Sequence, residues 1–245
     1  RIEVLGELGY EVDLVTYPFG RDVSMSHLRI VRSARPPFIT GVRIGPSMVK
    51  VLLDLLLAVT AFRRALMVSY DAIHSHEEAG VLGAVLSEIL GIPHLYDMHS
   101  SLPQQLQNFQ YTKSPLMRGL FERAERKMID SARVVITICQ ELQDSVVAVG
   151  AGDRAFLIEN VMGGDMTSAE EDLAVAQTVR RDYGIRSGQP LILYTGTFEE
   201  YQGLDLLTSA AACLARSCAE ARVLVVGGEP AQVARARSLA DATGS

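Results

Sequence analysis

The sequence predicts an α/β protein built on parallel sheets, and three observations predict it. Strand-length apolar runs alternate with helical segments of about 10–15 residues, the rhythm of βαβ units. The runs VVITI and LILY are apolar almost without interruption, as strands buried on both faces must be. The helical segments end on glycine, at Gly91-Ile92-Pro93 and at Gly150, where a left-handed residue closes a helix without steric cost.

In chain order, residues 2–8 read as the end of a helix stopped by Gly9, and 11–17 as a strand. A long amphipathic helix is expected over 47–68, then a short strand over 70–74. The pattern continues with a helix at 79–90, a strand at 94–98, a helix at 114–131, a strand at 133–138, a helix at 140–149 and a strand at 155–158. From 163 to 190 the chain turns polar and charged around one moderate helix. A fresh unit then begins: strand LILYTG, helix 204–216, strand 222–226 and a last helix over 230–242. The expected organisation is an N-terminal lobe at 1–163, a linker with a helix at 164–189, and the start of a second lobe at 190–245. The chain opens in a helix with no strand before it and closes two strands into the second lobe. It is therefore expected to be cut at both ends, inactive by itself and incompletely folded after about residue 190, because two strands alone are marginal.

Composition narrows the function. A net charge of −6 and a pI near 5.4 argue against a nucleic-acid binder, which needs a basic footprint. Cys139, Cys213 and Cys218 are too few and too scattered for a disulfide framework, and none forms a C-x-x-C pair, so a cytosolic compartment is expected. The most apolar stretch, 51–62, contains Asp54 and is too short to span a bilayer. Around it lie Arg29, Arg32, Arg35, Arg43, Lys50, Arg63 and Arg64. This basic cluster could dock the chain peripherally on anionic lipid. The plainer reading, a core helix with solvated arginines, is preferred.

Chemistry-bearing residues gather at strand ends, the edge where open α/β sheets bind ligands. The segment YDAIHSHEEAG places His74, His76, Glu77 and Glu78 just before a helix. His74 and His76 point the same way along an extended chain, but no third ligand is identifiable, so no metal is predicted. His74 reads as a structural histidine, and His76 and Glu77 as cleft residues. His99 ends the next strand and is followed by Ser100 and Ser101, so it could face the same cleft. Further on, LILYTGTFEEYQGLDLL brings a strand end at Gly196 through a short loop to Gly203, which opens a helix; the free N–H groups there suit a phosphate. RVLVVGGEP ends another strand in Gly227-Gly228.

Taken in order, these segments resemble the family-four retaining glycosyltransferases of the GT-B fold. Asp71, His74 and His76 match the family's D-x-x-H-x-H strand end, and His99 matches its next strand-end histidine. LIENVMGGD at 157–165 matches the turn that closes the first lobe, through Asn160; LILYTGTF, YQGLDLL and VLVVGGEP match the opening of the second. The resemblance implies Rossmann-like lobes, sugar transfer from a nucleoside-diphosphate donor to a hydroxyl acceptor with retention, and no cofactor. It implies that His99 lines the catalytic cleft, with His76, Glu77 and Ser100 on the acceptor side. The donor would lie against Gly196, Thr197, Phe198, Gln202 and Gly203, with Gly227 and Gly228 near the nucleotide. Thr197 and Gln202 stand where many members carry Arg and Lys, so backbone N–H groups would have to meet the phosphate charge. A nucleotide-sugar epimerase of the same architecture and a non-catalytic sugar-nucleotide binder are the rival expectations.

Overall fold

The computed structural model describes residues 1–41, 47–104, 114–160 and 169–243. The chain divides into two compact units, Arg1–Val161 and Met162–Ser245.

In the first unit a short helix α1 (Ile2–Glu7) precedes strands β1 (Val12–Thr16) and β2 (Leu28–Arg32), which pair in parallel. β2 was not expected from the sequence. Its residues, LRIVR, carry two of the arginines that the sequence groups into a basic cluster. Helix α2 (Met48–Met67) is capped by Ser47, whose Oγ accepts the Lys50 N–H at 3.2 Å. Then come β3 (Ile73–His76), α3 (Ala79–Leu90), β4 (His94–Met98), α4 (Pro115–Ser131), β5 (Val134–Thr137), α5 (Gln140–Ala148) and β6 (Ala155–Leu157). β3 to β6 form a four-stranded parallel sheet in sequential order.

The basic cluster does not behave as one segment. Arg29 and Arg32 lie on β2. The Arg32 guanidinium is taken up by the carbonyls of Tyr17, Phe19, Gly20 and Arg21 and by Asp22. Arg64 donates to Asp13 at 2.7 Å, and Lys50 pairs with Glu78 at 2.8 Å. Arg43 lies outside the described residues. Nor is α2 a core helix: Leu53 is its only fully buried side chain, while Met48, Val51, Leu52, Leu55, Val59 and Leu66 form an exposed stripe. Among the described residues no helix is long and apolar enough to cross a membrane.

The core sits on one face of the four-stranded sheet. Tyr96, Met98 and Val135 pack there against Met128 and Ile129 of α4 and Leu142 and Val146 of α5. Helix α3 lies on the same face and depends on two glycines. A Cβ on Gly80 would stand 2.5 Å from Met128 Sδ and 2.7 Å from the Tyr96 ring. On Gly83 it would stand 2.5 Å from His94 Nε2. The small residues of AGVLGA thus let the helix approach the strands closely, which brings the β3–α3 turn down onto the sheet edge.

The second unit holds α6 (Ala169–Asp182), β7 (Leu191–Gly196), α7 (Leu204–Ser217), β8 (Arg222–Gly227) and α8 (Pro230–Thr243). β7 and β8 pair in parallel, with Gly196 opposite Gly227. Buried Gln189 fixes the start of β7, donating to the Glu220 carbonyl at 2.6 Å and accepting the Arg186 N–H at 2.9 Å.

Replacing Gly83 by Val tests the close packing of α3. The added methyls must displace a fully buried histidine, so the substitution should lower unfolding stability by about 1–3 kcal/mol. Urea denaturation followed by circular dichroism measures it, and an unchanged midpoint would contradict the packing described.

Candidate functional site

The pleat of β3 and β4 sorts the histidines onto two faces. Ser75 stands opposite Tyr96 and His76 opposite Asp97 in the parallel register. Ser75, His94 and Tyr96 therefore share the core face, and His74, His76 and Asp97 share the other.

On the core face His94 is fully buried. Its Nε2 lies 2.6 Å from Ser75 Oγ and its Nδ1 3.2 Å from Ser131 Oγ, so one neutral imidazole bridges β3 to α4. Burial pushes its pKa down to about 4.

On the opposite face Asp97 is fully buried and gathers every nearby cation and imidazole. One of its oxygens, Oδ2, takes Arg1 Nη1, lies 3.3 Å from His74 Nε2 and 3.5 Å from His76 Nδ1. The other, Oδ1, lies 3.2 Å from His99 Nε2. The His74 and His76 rings stack at 5.0 Å, and His76 meets His99 at 5.3 Å between centroids. Arg1 also reaches the Ile158 carbonyl at 3.2 Å and Asn160 Oδ1 at 3.4 Å, which brings the LIEN turn to the same cluster. The remainder of that motif, 161–165, lies outside the described residues.

All three histidines are held neutral. Partial desolvation is the main cause, although the His76 ring is still half-exposed. Arg1 and neighbouring imidazoles add to it at His74 and His76, and at His99 Arg1 adds to it while Glu77 opposes. His76 is pushed down to about 4, and His74 and His99 are lowered. Glu77 follows β3 in the left-handed region at φ 46°, a conformation that costs a non-glycine residue on the order of 1 kcal/mol. Its N–H donates to the Asp97 carbonyl at 3.1 Å and its own carbonyl accepts the Gly80 N–H at 2.9 Å. Burial first, then Glu78, raises the Glu77 carboxyl above its usual range. Ser100 follows His99 directly and is half-buried. The loop beyond is held by half-buried Glu125, which accepts the Leu102 N–H at 2.7 Å and the Ser101 hydroxyl at 3.3 Å.

The structure therefore brings His74, His76, Glu77 and His99 to one sheet edge around a residue the sequence reading passed over. Asp97 is the third donor missing from the metal argument: His74, His76 and Asp97 each offer one ligand atom within 4.8 Å of the others. The Arg1 guanidinium already sits on the oxygen that both histidines approach, so the cluster carries its own positive charge. The only sequence signal for Asp97 was a carboxylate inside an otherwise buried strand, HLYDM, where a charge needs a partner.

In the second unit β7 delivers Gly196 to a loop closed by Gly203, which is left-handed at φ 71° and opens α7 with no side-chain cap. The first N–H groups of α7 thus have no side-chain acceptor. Tyr194 Oη donates to the Thr197 carbonyl at 2.7 Å and Gln202 Nε2 to Thr197 Oγ1 at 3.3 Å, so Thr197 and Gln202 brace the loop itself. A Cβ on Gly227 would overlap the Gly196 carbonyl at 1.8 Å, and one on Gly228 would enter the Phe198 ring at 2.5 Å. Both positions also have positive φ, so only glycine fits where the two strand ends meet.

Residues 2–160 match the family model described as a glycosyl transferase 4-like domain. The chain belongs to this glycosyl transferase 4-like family. A D-inositol 3-phosphate glycosyltransferase of Pseudarthrobacter chlorophenolicus is 29% identical over 153 residues, covering 59% of this chain and 34% of that protein. One of the same description from Corynebacterium aurimucosum is 25% identical over 169 residues, covering 67% and 39%. The chain thus spans little more than a third of the length of these relatives. Among solved structures, S. aureus MnaA with UDP is similar at a TM-score of 0.49 and 10% identity, over 89% of this chain and 57% of that one. The UDP-N-acetylglucosamine 2-epimerase from Rickettsia bellii is similar at 0.44 and 14%, over 83% and 50%. The α/β class with Rossmann-like parallel sheets, predicted as GT-B type, is the class observed.

Buried His94 and the partly buried imidazoles of the Asp97 edge give this glycosyltransferase-family domain a pH signature. Their pKa values are depressed on folding, so the unfolded chain binds more protons below the ordinary histidine range. Stability should be level near pH 7 and fall as pH drops from about 6.5 toward 4. His94 alone would contribute a loss on the order of 3 kcal/mol across that window. Chemical denaturation from pH 7.5 to 4.5 should show the fall, and His94→Gln should flatten it; parallel slopes in the two proteins would contradict the assignment to His94.

Proposed function

We propose that this protein transfers a sugar from a nucleoside-diphosphate donor to a hydroxyl group, and that His99 is the catalytic-edge residue beside the transferred sugar. The observation that carries the reading is the cluster of neutral histidines around a buried carboxylate at the carboxyl edge of the sheet, inside the segment that matches the glycosyl transferase 4-like family. Neutral imidazoles and carboxylates suit sugar hydroxyls, which both donate and accept hydrogen bonds.

His76, Glu77 and Ser100 are assigned to the acceptor side. The two curated relatives are named for D-inositol 3-phosphate, so a polyol or phosphorylated polyol is the first acceptor class to assay, beside saccharide and lipid-linked hydroxyls. Gly196, Thr197, Phe198, Gln202 and Gly203 are assigned to the donor, with Gly227 and Gly228 near the nucleotide. In this reading the uncapped N-terminus of α7 meets the diphosphate, because Thr197 and Gln202 carry no charge. The transfer is hexosyl, with retention, and needs no metal, since Arg1 neutralises the carboxylate of the only donor cluster among the described residues. The exposed α2 stripe is the surface for a peripheral contact with anionic membrane on the cytoplasmic side; co-sedimentation with anionic and neutral vesicles reads it directly.

The protein should release nucleoside diphosphate from a UDP- or GDP-sugar when an acceptor is present, and EDTA should leave the rate unchanged. His99→Ala should lower kcat/KM by roughly 10²-fold or more while the fold survives, the scale of losing one positioned catalytic group. Absence of turnover across a donor and acceptor panel would overturn sugar transfer. Near-normal turnover by His99→Ala would remove His99 from the site.

A further inference from the structure

We infer that Asp97 is a positioning residue for His99, fixing the imidazole as its Nε2–H tautomer and leaving Nδ1 as the ring's acceptor for a substrate hydroxyl. The inference deepens the sugar-transfer reading and rests on it for the substrate. The pairing itself rests on geometry alone.

Asp97 Oδ1 and His99 Nε2 are both buried, and neither has a hydrogen-bond partner as the side chains stand. They are 3.2 Å apart, and the angle rather than the distance keeps them from bonding. A buried polar atom left unpaired is destabilising, and here each of the two lies beside a complementary group. A small rotation of the His99 ring closes the bond. The carboxylate itself cannot turn away, because Arg1 and His74 hold its other oxygen.

The proton can only lie on one side. An ionised carboxylate accepts and never donates, so a bond at Nε2 requires Nε2–H. His99 is held neutral by burial and by Arg1, so Nδ1 is then unprotonated. An acceptor nitrogen takes a hydroxyl hydrogen and rejects a further carboxylate or phosphate oxygen. The groups facing His99 are consistent with this: Asp97 at one ring nitrogen, His76 across the ring, and Glu77 and Arg1 acting electrostatically in opposite directions. The arrangement follows from the fold, because His99 is the second residue after Asp97 and the strand ends between them at Met98.

Asp97→Asn, which keeps shape and removes charge, tests the inference in the protein. The kcat for transfer should fall at least about tenfold while KM for the donor stays within about threefold, since the donor phosphates are bound elsewhere. Nitrogen-15 correlation spectra of the histidine rings provide a readout that a merely structural role would not move. In the unsubstituted protein His99 should show Nε2–H, and in Asp97→Asn that preference should weaken. A dominant Nδ1–H tautomer of His99 in the unsubstituted protein overturns the inference, as does a kcat for Asp97→Asn within about threefold of normal. Should Asp97→Asn fail to fold, the tautomer in the unsubstituted protein decides alone. A protein with the expected tautomer but no sugar transfer with any donor would sink the functional reading and leave the Asp97–His99 pair standing.

Discussion

The carboxylate of Asp97 is the interaction on which the site depends. A buried charge in an inner strand of a parallel sheet is tolerated only when it is paired and hydrogen-bonded. Here the opposite charge comes from Arg1 and a hydrogen bond from His74, while the neutral rings of His76 and His99 stand close by. Satisfying that single charge draws the chain's first residue, two adjacent strand ends and the LIEN turn into one place. The histidines crowd together because they share a carboxylate, and they stay neutral because burial and Arg1 make further positive charge unwelcome.

The rest of the first unit serves to hold that edge. Parallel register sets His76 opposite Asp97, so both side chains fall on the same face. On the reverse face, His94 ties β3 to α4 through Ser75 and Ser131, and Gly80 and Gly83 let α3 settle against the strands. The close approach of α3 leaves little room for the β3–α3 turn, and Glu77 takes a left-handed backbone there to make it. The second unit uses the same device of a strand end without side chains, with Gly227 against Gly196 and Gly228 under the Phe198 ring.

Much of this was legible in the sequence. Periodicity and the glycine stops located α3 and β4 to the residue, and the strand-end placement of His76 and His99 pointed to a shared edge. β2 was missed because its arginines look like a solvated run, although Arg32 is spent on loop carbonyls and Asp22. The character of α2 was misjudged for a related reason: its apolar residues suggested a core helix, yet only Leu53 is fully buried. Asp97 escaped because a lone carboxylate in HLYDM carries no spacing motif. Its meaning lies in partners 21 and 23 residues before it, His76 and His74, and in Arg1, which only the sheet register brings near.

The central claim is the proposal that this histidine–carboxylate edge faces the sugar being transferred. A crystal structure of the protein with an intact nucleotide sugar tests it most directly. The account predicts the anomeric carbon within van der Waals reach of His99 and a sugar hydroxyl donating to His99 Nδ1. A donor bound with its sugar remote from His99 would contradict it.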